Sequence, residues 1–176
     1  PAAVEAYAPR AERAILDVSG EMTEAIAAMR EHAPDRERAS YHPLFAPPRV
    51  PGNVAAVVDE GGPVIEGISA AIEAGGNEVF ETTPAEHDEA METVQARTHA
   101  AVLAYALAAE NVDERFHTPI SGELQELADA VTNGDARVYS DIQSVFDGAD
   151  DVADAARRIA DADPEAFERL YADAGE

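Results

Sequence analysis

At 176 residues with 46% hydrophobic side chains, the chain can hold one full domain or two small ones around a sizeable core, which excludes collagen-like, coiled-coil and disordered classes. Zero cysteines exclude a disulfide framework, a thiolate metal site and a thiol nucleophile. The 36 acidic residues face 12 basic ones, every one of them arginine, and the formal charge of −24 repels phosphate backbones and anionic membranes.

Neither nucleic acid nor membrane is therefore an expected partner. No apolar run approaches the ~20 residues that span a bilayer, and the N-terminus lacks the basic-then-apolar order of a signal peptide, so a soluble, cytoplasmic protein is expected. The acid is spread among alanines and valines along the whole chain instead of forming a tail. Spread acid without lysine is the composition of a halophilic protein, in which high salt screens the self-repulsion.

In chain order, Ala14 to Val18 reads as a short strand and Met22 to His32 as a helix with Met22, Ile26 and Met29 on one face. Arg38 to His42 reads as a second strand entering the proline-rich stretch from Tyr41 to Asn53, and Val54 to Val58 as a third. Pro63 to Ala74 reads as a helix stopped by Gly75-Gly76, and Glu78 to Glu81 as a fourth strand. After Thr82 the strand signals stop. Thr83-Pro84-Ala85-Glu86 is a capping box with proline at the first helical position, so a helix is expected from there, unbroken to about Ala109. Pro119 to Val131, Ala136 to Phe146, Asp150 to Ala160 and Pro164 to Ala172 are further helices. The fold class is thus α/β followed by all-α, and the long alanine-rich helix suggests a subunit interface.

There is no GxGxxG or GxxxxGK[ST] loop to cradle phosphate. The chain opens at Pro1 without an initiator methionine or first strand, and reads as the trailing part of something longer.

Among the five histidines, His42 sits at a strand end in a stiff, neutral loop, where it suits either a general base or a structural hydrogen bond to a carbonyl. His99 follows Gln95 by one helical turn, so the two share a face, as a binding pair or as a polar patch at a helix interface. His87 and His32 read as surface or cap residues, and His117 carries no motif. No HxH, HExxH or DxDxDG spacing occurs, so no metal site is expected. GxSxG is missing too, which leaves Ser19, after the first strand, as a turn or cap residue rather than a hydrolase nucleophile.

The segments DVSGEM, YHPLFAPP, EHDEAMETVQARTHAAVLAYAL and TPISGELQEL followed by NGDARVYSDIQ occur in an order and spacing that resemble the prephenate dehydrogenase family over nearly the whole chain. The resemblance implies a partial Rossmann-type dinucleotide-binding layer at 1–82, its glycine-rich loop lying upstream of Pro1, and a helical dimerisation and substrate domain at 83–176. It implies NAD or NADP as cofactor, prephenate as substrate and a homodimer. His42 then matches the catalytic histidine that takes the proton of the ring hydroxyl, and His99, with Gln95 one turn before it, matches a substrate-pocket histidine. Ser19 lies near a family serine beside the reacting histidine, although the spacing puts Gly20 at that position.

Family arginines that clamp substrate carboxylates align here with Gly122 and Ala130. A dianionic substrate requires cations, and Arg97, two residues from both Gln95 and His99, is the in-motif candidate, with Arg49 and Arg137 as alternatives. Arg97 reads equally as a partner in a surface ion pair. The missing clamp leaves open arogenate as substrate, or a non-catalytic dimerising or ligand-sensing relative of the same fold.

Overall fold

The computed structural model describes residues 2–46 and 49–175. Pro47 and Pro48, the end of the expected Tyr41–Pro48 loop, lie outside the described residues, as do Pro1 and Glu176. The contacts of the chain divide it into two compact units, Pro1–Met91 and Glu92–Glu176.

The first unit contains a helix α1 (Ala2–Tyr7), strand β1 (Ala14–Asp17), helix α2 (Thr23–His32), strands β2 (Glu37–Pro43) and β3 (Asn53–Glu60), helix α3 (Pro63–Ala74), strand β4 (Glu78–Glu81) and helix α4 (Pro84–Met91). The strands form one sheet in the order β1-β2-β3-β4. β1 runs parallel to β2 and β3 to β4, whereas β2 and β3 are antiparallel, with His42 opposite Ala55 and Tyr41 opposite Ala56. All four expected strands are present.

The apolar run of β3 is explained by burial on both faces. On one face Ala55 and Val57 pack with Val4, Met22, Ile26 and Met29 of the α1–α2 layer; on the other Val54 and Ala56 pack with Ala39, Tyr41 and Ile65 under α3. Met22, Ile26 and Met29 are at most 1% exposed, and each buried side chain of this size contributes roughly 1.5–3 kcal/mol. Strand alternation assigns Ala39 and Tyr41 to the α3 face, so Ser40 and His42 of the same strand turn to the α2 face. α3 has no capping side chain of its own; Glu37 of β2 caps it, accepting the Val64 and Ile65 amides at 2.8 and 2.9 Å. Gly62 leaves room for that cap, since a Cβ there would displace the Glu37 carboxylate.

In the second unit, residues Glu92–Arg97 are wound as a π-helix and continue as α5 (Thr98–Ala108); α6 (Pro119–Thr132), α7 (Ala136–Val145), α8 (Ala149–Asp161) and α9 (Pro164–Asp173) follow. The expected unbroken α-helix from Pro84 to Ala109 is therefore corrected to an α–π–α sequence. The Thr98 hydroxyl, donating to the Thr93 carbonyl at 2.9 Å, supports the wider winding. Thr118 and Ser121 form a reciprocal capping box at α6, and Asp135 and Asp163 cap α7 and α9. Ala96, Val102, Ala128 and Phe146 are the buried apolar residues described in this unit, while Leu107 and Ile120 are 88% and 80% exposed.

Candidate active site

His42 lies on the last turn of the pleat of β2, half-buried, with its ring toward α4. Its Nδ1 is 3.0 Å from Nε2 of His87, and the two rings meet edge to face with centroids 5.2 Å apart. His87 is 3% exposed, and its other ring nitrogen, Nδ1, lies 2.8 Å from Oδ1 of Asp88. The Asp88 carboxylate also accepts the Met22 and Thr23 amides, each at 3.0 Å, at the N-terminus of α2. An unbroken chain thus runs from the α2 N-terminus through Asp88 and His87 to His42.

The electrostatics follow from this arrangement. Burial alone would raise the Asp88 pKa, but the hydrogen bonds from Thr23, His87 and the Met22 amide outweigh it and hold the carboxyl below its usual range. The positive end of the α2 dipole acts in the same direction. Burial first, and His87 second, push the His42 imidazole down to about 4, partly opposed by the charge of Asp88. His42 is therefore neutral at physiological pH, as a proton acceptor must be. Glu21, whose Oε1 accepts the Glu24 amide at 2.6 Å, is raised chiefly by burial and also by the neighbouring Asp88.

His87 corrects the expectation of a surface or cap residue. Its polarity and its place in the first turn of α4 argued for exposure, yet it stands four residues before buried Met91 on the same helical face, a spacing that signals burial. Among the described residues no group of three or more metal-ligating side chains occurs.

Ser19 is engaged within its own turn. Its hydroxyl lies 2.6 Å from Oδ2 of Asp17 and 2.7 Å from the Glu21 carbonyl, and Gly20 supplies no side chain. Oδ1 of Asp17, at the end of β1, is buried without a hydrogen-bond partner among the described residues.

Gln95, Arg97 and His99 belong to the second unit. Gln95 sits inside the π-helical segment, and His99 stands edge-on to Tyr139 with centroids 4.9 Å apart. Nδ1 of His99 is buried without a hydrogen-bond partner among the described residues, and burial lowers the pKa of the ring. Arg97 donates to Oδ2 of Asp151 at 2.7 and 2.9 Å and to the Thr93 hydroxyl at 2.9 Å, and lies 3.4 Å from Glu92. Gly148 permits this packing, because a Cβ there would come within 2.7 Å of the Arg97 stem. Arg137 is exposed and paired with Asp135 at 2.8 Å, and Arg49 is exposed. At the aligned clamp positions on α6, Gly122 has no neighbour within 4 Å of where a Cβ would stand, and Ala130 is exposed. A cavity of about 710 Å³ in this unit is lined by Tyr105, His117, Ser121, Gln125 and Asp129 among others, none of them a predicted site residue.

No family model matches the chain. A 4-amino-4-deoxyprephenate dehydrogenase of Streptomyces pristinaespiralis is 34% identical over 130 residues, which cover 69% of this chain and 44% of that protein. The chain thus spans less than half the length of this curated relative. The crystal structure of prephenate dehydrogenase from Aquifex aeolicus matches 98% of this chain and 70% of its own with a TM-score of 0.63 at 11% identity. That of Synechocystis arogenate dehydrogenase matches 99% and 72% with a TM-score of 0.51 at 14% identity. At these identities the two structures show the fold, a Rossmann-like layer with helices. The sequence relative and the two fold neighbours are all dehydrogenases named for prephenate-type substrates, and the two structures carry the likeness in fold alone.

Proposed function

We propose that the chain serves an NAD- or NADP-dependent dehydrogenase that converts prephenate to 4-hydroxyphenylpyruvate by oxidative decarboxylation, with His42 as general base. The observation that carries this reading is the neutral His42 imidazole, half-buried and oriented by a hydrogen bond to buried His87. His42 takes the proton from the ring hydroxyl, and the oxygen's electron pair forms the carbonyl as hydride leaves the same carbon. The ring carboxylate then departs as carbon dioxide, its bonding pair completing the aromatic ring as the carbonyl oxygen takes back the proton held by His42. Nicotinamide, when bound, supplies the hydride acceptor.

The residues present fit part of such a cofactor. The buried, unpartnered Oδ1 of Asp17 is an acceptor suited to a carboxamide N–H or a ribose hydroxyl, but no glycine-rich pyrophosphate cradle is among the 176 residues. Ser19, Gln95, His99 and Arg97 are proposed to bind substrate, Arg97 by exchanging Asp151 for a substrate carboxylate. Residues 1–82 are proposed as the nucleotide side and 83–176 as the helical substrate and dimerisation side, with α4 packing in the former unit. The exposed apolar residues of the second unit support a homodimer, and the acidic, lysine-free surface supports a halophilic, cytoplasmic setting. No nucleic acid or membrane is a proposed partner, and among the described residues no helix is long and apolar enough to cross a membrane.

The 34% identity to a 4-amino-4-deoxyprephenate dehydrogenase favours a second reading, in which the ring carries an amino group where prephenate has its hydroxyl. Assaying purified protein with prephenate, arogenate and 4-amino-4-deoxyprephenate, each with NAD and NADP, tests both. Reduction of cofactor with prephenate preferred supports the first reading and with the amino substrate the second. No turnover of any of them by a protein that also carries a dinucleotide-binding loop would make it a non-catalytic relative.

A further inference from the structure

We infer that Asp88 and His87 are positioning residues that fix the tautomer of His42, directing its proton to Nδ1 and its lone pair to Nε2; this rests on the proposal that His42 is the base. The inference comes from the sequence of donors and acceptors. The Met22 and Thr23 amides can only donate, so the carboxylate of Asp88 is an acceptor to both. The same carboxylate can only accept from His87, whose Nδ1 at 2.8 Å must therefore carry a proton. In a neutral His87 ring the remaining nitrogen, Nε2, is then the acceptor. At 3.0 Å from it, Nδ1 of His42 must donate. A neutral His42 with its proton on Nδ1 holds its basic electron pair on Nε2, the nitrogen farther from His87.

The direction of the chain is set at its start by backbone amides, which cannot reverse. Each link is short, and the middle ring is 3% exposed, so water does not compete for its two bonds. When Nε2 of His42 accepts a proton, the charge that forms is joined through His87 to the ionised Asp88. His87 and Asp88 thus act through His42 and need touch neither substrate nor cofactor. Glu21 beside Asp88 is the other titratable group facing this chain from α2's entry.

The tautomers are read directly by nitrogen-15 NMR of histidine-labelled protein without substrate. The expected result is protonated Nδ1 and unprotonated Nε2 in both His42 and His87 at neutral pH. A proton on Nε2 of His42 in the neutral wild-type ring would overturn the inference. Asp88→Ala removes the acceptor of the His87 Nδ1 proton, so neither ring is held in one tautomer and the His42 proton is expected to distribute between Nδ1 and Nε2. Turnover is then expected to fall by ~10²–10⁴-fold with the Michaelis constant little changed. His87→Gln can still accept from Nδ1 of His42 through its side-chain oxygen and is expected to keep the tautomer and most of the turnover, whereas His87→Leu is not. Circular dichroism confirms that each variant is folded. An active wild type whose Asp88→Ala variant keeps both tautomer and turnover defeats the relay alone. The expected wild-type tautomers, without turnover of any substrate by a protein that also carries a dinucleotide-binding loop, uphold the relay and defeat the functional reading.

Discussion

Nδ1 of His42 stands 3.0 Å from Nε2 of His87, a residue 45 positions later in the chain and on a different element. This bond ties the end of β2 to the first turn of α4 and gives a half-buried imidazole a defined orientation. Its basicity is set by the same packing, since burial and the second ring both disfavour the imidazolium.

Replacing His42 with asparagine keeps a polar group of similar reach but removes the base. Turnover is expected to fall by ~10²–10⁴-fold while cofactor affinity is unchanged. Steady-state kinetics and a cofactor titration check this, and near-wild-type turnover would remove His42 from the chemistry.

The pH dependence of stability follows from a His42 pKa lowered to about 4 from 6.5. Between those values the unfolded chain binds the extra proton and the folded chain does not, so His42 makes stability rise with pH across that window and contributes no further slope above it. Asp88, whose pKa is depressed, contributes stability present above its unfolded value and lost as pH falls through its folded one. Glu21, with a raised pKa, acts oppositely near its own range. Subtracting the melting profile of His42→Asn from that of the wild type isolates the histidine. A difference that is flat from pH 4 to 6.5 would contradict the burial-driven shift.

Much of this was legible in the residues, and the exceptions have identifiable causes. Val54 to Val58 declares a strand because only a doubly buried strand holds so continuous an apolar run, and Gly75-Gly76 ends α3 because Gly76 adopts φ +86°. The antiparallel pairing of β2 and β3 leaves no mark in composition. Its signal was the loop between Pro43 and Asn53, shorter than the dozen or so residues of a parallel crossover. His42 stood out through the stiff segment that follows it, whereas His87 was hidden because burial of a polar ring depends on partners remote in sequence, Asp88's hold on α2 among them. The π-helical turn at Glu92–Arg97 is accompanied by the Thr98 hydroxyl donating to the Thr93 carbonyl, a winding that local propensity does not encode.

The net charge of −24 predicts a salt requirement. At low ionic strength the acidic surface repels itself, and at ~1 M the Debye length shrinks to about 3 Å, so neighbouring carboxylates cease to interact over the surface. The melting temperature is expected to rise substantially between low and molar KCl. A melt indifferent to KCl would count against the halophilic reading.

The exposed apolar residues of the helical unit predict self-association. Leu107 near the end of α5 and Ile120 at the start of α6 are 88% and 80% exposed, apolar surface that a partner subunit would cover. Light scattering is expected to give a dimer mass for the wild type and a monomer for the double variant Leu107→Glu, Ile120→Glu. A monomeric wild type at micromolar concentration would refute this, as would a double variant that stays dimeric.

The final prediction concerns the cation that meets the substrate carboxylate, a role that Gly122 and Ala130 cannot fill. Arg97 is held by Asp151 at 2.7 Å and supported by Thr93, so a substrate carboxylate must compete with one already in place. Asp151 is 63% exposed on its side chain and the pair is open to water, which makes such an exchange inexpensive. Arg97→Ala is therefore expected to raise the Michaelis constant for prephenate with less change in turnover, the signature of binding lost equally from ground and transition states. Asp151→Asn leaves the arginine in position but removes its competitor, and is expected to lower the constant. If Arg97→Ala leaves the constant unchanged, the carboxylate is met by Arg49, Arg137 or a residue outside this chain; if Asp151→Asn raises it, the ion pair serves to place Arg97 and not to compete with substrate.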